Sequence, residues 1–140
     1  MIATILWRLE GSPEVDHLMD YADVPGDAWY AEAVRWATAK GVASGYGAGC
    51  FGPEDAVTRE QLAAILYRYE QSKGDGAPET QMFCLDYSDV DQVSEWAVEA
   101  MRWCNMNGIM EGVGDGLLAP KGAAARAQTA VVLKRFCDKY

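Results

Sequence analysis

The chain has few residues suited to metal chemistry or catalysis. It contains one histidine, His17, and its four cysteines form no Cys-x-x-Cys pair. Without clustered nitrogen and sulfur ligands, we predict neither a metal site nor a cofactor. Cys50, Cys84, Cys104 and Cys137 do not recur at a regular spacing, which favours buried thiols or a loop thiol over a disulfide framework. The sequence also supplies no nucleophile or base cluster, so we do not expect an enzyme.

Positive charge and long apolar runs are also scarce. Lys and Arg number 12 against 21 Asp and Glu, which gives a formal net charge of −9. Binding to nucleic acid or to an anionic membrane surface requires a basic face, and this composition argues against both partners. No apolar run approaches the roughly 18–20 residues of a membrane-spanning helix. The charge balance instead suits a ligand that a few local cations hold.

The chain does contain an internal repeat. When the sequence is shifted by 67 residues, Trp29–Arg68 aligns with Trp96–Arg135, and sixteen of the aligned pairs are identical. A partial third copy places residues 3–10 over residues 63–70. The identities are mostly Trp, Gly, Pro and Arg. Such a period marks an array of units that bury their apolar faces against one another, which favours a binding or scaffolding module.

We divide the chain into three segments on this basis. Residues 1–13 correspond to the C-terminal helix of a truncated unit, and residues 21–72 and 84–140 are whole units. Because the truncated unit leaves apolar surface uncovered, self-association into a homo-oligomer is an expectation.

Two helices and a glycine-rich turn are predicted in each whole unit. The first helix follows Asp27 or Ser94, which are candidate N-caps, and it ends at Gly41 or Gly108. Three glycines at alternate positions then predict a tight loop with positive φ angles.

The second helix begins differently in the two units. Thr58-Arg59-Glu60-Gln61 fits a capping box, in which Thr58 and Gln61 bond to each other's backbone amides. Ala125 and Ala127 replace Thr58 and Glu60 in the second unit, so the cap is weaker there.

This ordered series resembles the S-layer homology (SLH) module of bacterial cell-surface proteins, and the resemblance covers nearly the whole chain. The segments that carry it are Asp23-Val24, Trp29-Tyr30-Ala31-Glu32-Ala33-Val34, Gly41-Val42-Ala43-Ser44-Gly45-Tyr46-Gly47, Phe51-Gly52-Pro53 and Val57-Thr58-Arg59-Glu60-Gln61. Most of them recur at the repeat spacing. The last segment is similar to the family's Thr-Arg-Ala-Glu motif.

The resemblance implies an all-α fold built around a pseudo-threefold three-helix bundle with glycine-rich turns. It also implies a non-catalytic, extracellular module that anchors proteins to the pyruvylated secondary cell-wall polysaccharide of Gram-positive bacteria, at the cell wall or in an S-layer. By the same resemblance, the glycan-binding residues are Trp29, Gly45, Tyr46, Gly47, Arg59, Trp96, Gly112, Gly114, Asp115 and Arg126. Val113 lacks the aromatic ring of Tyr46, so the site of the first whole unit is expected to be the better preserved.

The residues themselves leave alternatives open. Arg59 at the first helical position, beside free backbone amides, suits an acidic ligand, and its replacement by alanine would then barely change stability. Equally, Arg59 suits a structural ion pair with Glu60 or Asp55. Trp29 and Trp96 suit either a sugar platform or the core.

Other repeated residues have a structural interpretation. We expect Trp36 and Trp103 in the core, and we interpret Arg8, Arg68 and Arg135 as structural cations near helix C-termini. The alternative function is a structural or protein–protein interaction repeat that no longer binds glycan.

Overall fold

Helices dominate the structure, which is a computed structural model. It describes residues 2–16, 24, 27, 29–42, 58–73, 85, 87–112, 114, 116–124 and 126–139. The helices are α1 (Ile2–Leu9), α2 (Ala31–Ala39), α3 (Arg59–Ser72), α4 (Val98–Met106) and α5 (Arg126–Lys139), with two short 3-10 helices at Val90–Gln92 and Glu95–Ala97. The described residues form isolated β-bridges but no strand, so the prediction of an all-α fold is confirmed. None of the described helices is long and apolar enough to cross a membrane.

The chain divides into two compact units that do not coincide with the sequence repeats. The first unit comprises Met1–Asp55 and Arg68–Gly74, and the second comprises Ala56–Tyr67 and Asp75–Tyr140. The start of α3 therefore belongs to the second unit although its sequence belongs to the first repeat. The repeat boundaries at 21–72 and 84–140 and the threefold bundle remain predictions.

The core of the first unit forms around α1 and α2, which pack against each other. Leu6, Val34 and Trp36 are buried there, and the rings of Trp36 and Tyr69 lie 6.1 Å apart. The phenol of Tyr69 donates a hydrogen bond to the Glu10 carboxylate, so the polar end of a buried ring is paired. Trp36 is a core residue, as predicted.

Aromatic rings also organise the core of the second unit. The indole of Trp103 is buried, with the Tyr67 ring 5.6 Å away and the Phe136 ring 6.3 Å away, both at steep angles. Edge-to-face pairs of this kind contribute about 0.5–1.5 kcal/mol each beyond their buried area. The prediction that Trp103 is a core residue is confirmed.

Helices α2 and α4 end as predicted. Gly41 and Gly108 have φ angles of 71° and 68°. Beyond them, Val42 N donates to Ala37 O at 3.0 Å and Ile109 N donates to Cys104 O at 2.8 Å. Each of these is the 6→1 hydrogen bond of a Schellman motif, which joins the residue after the glycine to the last turn of the helix. The glycine adopts the left-handed conformation of this motif without steric cost.

The predicted N-caps of α2 and α4 are wrong. Helix α2 follows Tyr30 and α4 follows Ala97, and neither residue makes a side-chain cap. Ser94 instead precedes the 3-10 helix Glu95–Ala97, which separates its hydroxyl by one turn from the first amides of α4. Asp27 likewise lies too far before Ala31 for its carboxylate to act as the adjoining cap.

Candidate anion-binding pocket

The start of α3 is fixed by the predicted capping box. Thr58 N donates to Gln61 Oε1 at 3.0 Å, and Gln61 N donates to Thr58 Oγ1 at 3.3 Å. The two side chains thus satisfy each other's backbone amides and set the first turn of the helix. This geometry positions Arg59 as the first helical residue.

The other amides of this turn are already occupied. Arg59 N donates to Gly122 O at 2.9 Å, and Glu60 N donates to Pro120 O at 3.0 Å. An isolated bridge between Thr58 and Ala123 adjoins these bonds. The expectation that free backbone amides help to bind an anion is therefore wrong, because the chain segment after the second glycine turn takes them. Any anion that binds here must use side chains.

The Arg59 guanidinium is held by carbonyl groups. Arg59 is only 5% exposed. Its Nε donates a hydrogen bond to Leu118 O at 2.9 Å, and its Nη2 donates one to Glu111 O. Burial lowers the pKa of Arg59, and the nearby Tyr87 and Asp89 side chains oppose this effect. Two neutral acceptors orient the cation without neutralising it.

The alternative ion pair between Arg59 and Glu60 is not formed. The Glu60 carboxylate accepts hydrogen bonds from Ser94 N and Ser94 Oγ, both at 2.9 Å, and pairs with Lys121 Nζ at 2.8 Å. It is therefore turned to other partners. Asp55, the other suggested partner of Arg59, lies outside the described residues. Within the described part of the chain, no ion pair includes Arg59.

Asp89 fixes one of the two carbonyls that hold Arg59. Its carboxylate accepts bonds from Leu118 N at 2.8 Å and Ala119 N at 2.9 Å. These bonds, chiefly the one from Leu118 N, lower the pKa of Asp89, and the Arg59 charge acts in the same direction. The chain of contacts runs from Asp89 through Leu118 to Arg59. Sequence reasoning missed this role, although Asp89-Val90 repeats the Asp23-Val24 pair of the first unit.

Arg59 is one of the residues that line an open pocket of about 340 Å³. The polar lining of this pocket comprises Arg59, Glu111, Gly112, Gln128 and Arg135, and its apolar lining comprises Met110, Val131 and Val132. The described residues thus bring two arginines to one pocket, which combines positive charge with an apolar wall. Such a lining suits a ligand that has an acidic group and a less polar face.

Gly112 is required by close packing at this pocket. A Cβ atom on Gly112 would lie 2.6 Å from Tyr87 Cε1 and 2.8 Å from Leu117 O. The Tyr87 hydroxyl accepts a hydrogen bond from Asn105 Nδ2 at 2.7 Å, which holds the ring in place. Gly112 therefore lets the Tyr87 ring contact the backbone that lines the pocket.

The rest of the second glycine turn has the predicted conformation. Gly114 and Gly116 have φ angles of 108° and 70°. Neither glycine lines the pocket. Asp115 of this turn, and Gly45, Tyr46 and Gly47 of the first turn, lie outside the described residues.

The remaining predicted site residues are placed as follows. Trp29 and Trp96 are 66% and 55% exposed, which excludes a core position for either ring. Neither lines the pocket. Arg126 is the first residue of α5, and its side chain lies outside what the structure describes. Arg135, which we interpreted as structural from the sequence, also lines the pocket, and sequence reasoning did not place it there. Its only signal was its recurrence with Arg8 and Arg68. Sequence reasoning likewise did not single out Met110, Glu111, Gln128, Val131 or Val132 as residues of a site.

A comparison with known protein families agrees with the sequence repeat, the second glycine turn and the start of α3. Residues 20–63 and 86–130 match the S-layer homology domain. The chain belongs to the S-layer homology family. The match covers most of both repeats and confirms the resemblance drawn from the sequence.

The relatives of this SLH chain include enzymes and surface proteins. It is 31% identical to an amylopullulanase of Thermoanaerobacterium thermosulfurigenes over 96% of its own length and 7% of that protein. It is 28% identical to a surface-layer 125 kDa protein of Lysinibacillus sphaericus, over 89% of this chain and 10% of that protein. It is 22% identical to a cellulosome-anchoring protein of Acetivibrio thermocellus, over 99% of this chain and 30% of that protein.

The comparison with these proteins concerns a small part of each of them. The SLH chain spans less than a third of each relative's length. The part of each relative that matches is therefore about the length of this SLH chain. Family and relatives together place the chain outside the cell, at the bacterial cell surface.

Proposed function

We propose that this SLH chain is a non-catalytic anchor that binds an acidic, pyruvylated secondary cell-wall polysaccharide in the pocket beside Arg59. The observation that carries the proposal is the buried guanidinium, held by two carbonyls and adjoining a pocket. Asp89 is near enough to act on the pKa of Arg59 but forms no ion pair with it, so the buried cation is only partly compensated, and a bound carboxylate would complete the compensation. Because Nε and Nη2 each already donate to a carbonyl, a carboxylate would bind to the remaining Nη hydrogens, whose paired geometry matches its two oxygens.

The size and lining of the pocket support a sugar acid. The pocket is an open groove and not an enclosed cavity, and its volume of about 340 Å³ lies within the range of small-molecule sites. Its apolar wall suits the methyl group that a pyruvate ketal carries beside its carboxylate, and Gln128 supplies an amide that can bond to hydroxyl groups. These features favour a ring with one acidic substituent.

The overall charge of the chain makes local cations important. With a net charge of −9, the chain as a whole repels an anionic polymer. Binding must then depend on short-range contacts to a few arginines. A strong effect of a single arginine replacement is the expected consequence.

Isothermal titration with the purified polysaccharide, before and after removal of its pyruvate groups, tests the proposal. We expect the wild type to bind the pyruvylated polymer and to lose most of its affinity for the treated one. Arg59→Lys keeps the charge but loses the planar fork, and we expect it to weaken binding by roughly tenfold or more, the effect of one charge-assisted bond. Arg102→Lys is the matched control, because Arg102 lies on α4 and does not line the pocket.

Two outcomes would contradict the proposal. One is equal binding of the two polymers by the wild type. The other is an Arg59→Lys variant that remains folded by circular dichroism and binds as tightly as the Arg102→Lys control. Failure of every form to bind either polymer would instead support the alternative of a repeat that only packs or interacts with protein.

A further inference from the structure

Arg135 and Glu111 form a weak ion pair at the pocket. Arg135 Nη1 lies 4.0 Å from Glu111 Oε2, and the two side chains are 42% and 64% exposed. Both residues line the pocket that contains Arg59. An exposed pair at this separation contributes little to stability, so its two members can exchange partners at small cost.

Glu111 is linked to both arginines through different atoms. Its backbone oxygen accepts the bond from Arg59 Nη2, whereas its carboxylate lies near Arg135. The position of the Glu111 backbone is therefore fixed by the deeper arginine. Its exposed side chain remains free to rotate away without disturbing that bond. The carboxylate also places a negative charge at the pocket, where it opposes an incoming anion.

We propose that Arg135 is a second ligand-binding cation of this pocket and that an acidic glycan binds there by displacing the Glu111 carboxylate. The inference rests on the proposed function. It adds Arg135 to the binding residues and assigns the Glu111 carboxylate the role of competing with the ligand for Arg135. Arg59 orients the acid from within, and Arg135 contacts it from the exposed side. The ligand carboxylate would then replace Glu111 as the partner of Arg135.

The neighbouring residue Lys134 provides a matched control. It carries the same charge, lies on the same helix and forms an ion pair with Asp138 at 2.7 Å. It does not line the pocket. Any effect of Arg135 that arises merely from removing a positive charge from α5 should also appear in Lys134→Ala.

The experiment is a double-mutant cycle measured by titration with the pyruvylated polysaccharide. We expect Arg135→Ala to weaken binding by about tenfold, the loss of one charge-assisted contact. We expect Glu111→Gln to tighten it by up to about fivefold, the strength of an exposed ion pair. In the Arg135→Ala background, Glu111→Gln should lose most of that gain, because the cation it releases is gone. Lys134→Ala should bind like the wild type.

The outcomes separate this inference from the proposed function. If Arg59→Lys weakens binding but Arg135→Ala matches Lys134→Ala, the pocket binds the polymer without Arg135 and the inference is wrong. A Glu111→Gln variant that binds more weakly than the wild type would also overturn it, since Glu111 would then contact the ligand. If the wild type binds no pyruvylated polymer, the proposed function fails first, and the inference fails with it.

Discussion

Replacement of Arg59 by alanine tests how far this side chain is also part of the scaffold. The truncation leaves Leu118 O without its donor in a buried position, which costs about 1–3 kcal/mol. Glu111 O belongs to an exposed residue at the pocket, where water can replace the lost bond. Loss of the buried methylene stem adds about 0.8 kcal/mol for each methylene, and relief of the desolvated charge offsets part of the sum. We expect a decrease of about 2–4 kcal/mol in the free energy of unfolding.

Urea denaturation followed by tryptophan fluorescence measures this decrease. Arg102→Ala serves as the control, and we expect it to change stability by no more than about 1 kcal/mol, because Arg102 is only half-buried. An Arg59→Ala variant as stable as Arg102→Ala would refute the reasoning, since the two carbonyl bonds would then contribute nothing. The expectation from sequence that this replacement barely affects stability ignored the burial of the side chain. Binding tests at this position therefore need the conservative lysine variant.

Three further predictions concern the surroundings of the pocket. Gly112→Ala should lower stability by about 1–3 kcal/mol because the new methyl group overlaps the Tyr87 ring, and equal denaturation midpoints for variant and wild type would exclude that overlap. Asp89 has a lowered pKa in the folded state, so its contribution to stability is present above the unfolded pKa and is lost as the pH falls through the folded pKa. The wild type should therefore unfold at a higher temperature than Asp89→Asn near neutral pH, and this difference in unfolding temperature should shrink as the solution is acidified. A difference that does not change with pH would contradict this. Iodoacetamide should alkylate the exposed Cys137 in the folded protein but spare Cys104, whose thiol pKa burial raises, and peptide mapping that finds Cys104 modified first would contradict this.

The sequence predicted the features that depend on local chemistry. The capping box at Thr58, the left-handed glycines at Gly41 and Gly108, and the buried Trp36 and Trp103 each follow from the spacing of a few neighbouring residues, and the structure contains them. The all-α fold was implied by the family resemblance, and it agrees with the two helices that the residues predicted in each unit. The family resemblance added the extracellular role, which no periodicity could supply.

The features that the sequence did not predict depend on contacts between distant segments. The amides at the start of α3 are occupied by Pro120 and Gly122, about sixty residues further along the chain. No residue near Arg59 in the sequence indicates that these amides form hydrogen bonds with a distant segment. For the same reason the sequence did not indicate that Arg135 lines the pocket, because a position near a helix C-terminus describes its own helix and not the segments beside it.

The boundaries of the compact units differ from those of the sequence repeats, and this difference affects how repeats can be exchanged between proteins or expressed separately. Arg59 is contributed by one repeat, and the carbonyls of Glu111 and Leu118 that orient it are contributed by the next. A single repeat excised at its sequence boundaries would contain either Arg59 or the two carbonyl groups that orient it, but not both. Duplication or exchange of one repeat would likewise recombine half of a pocket with an unfamiliar other half. The smallest segment that can transmit this pocket intact to another protein is a pair of adjacent repeats.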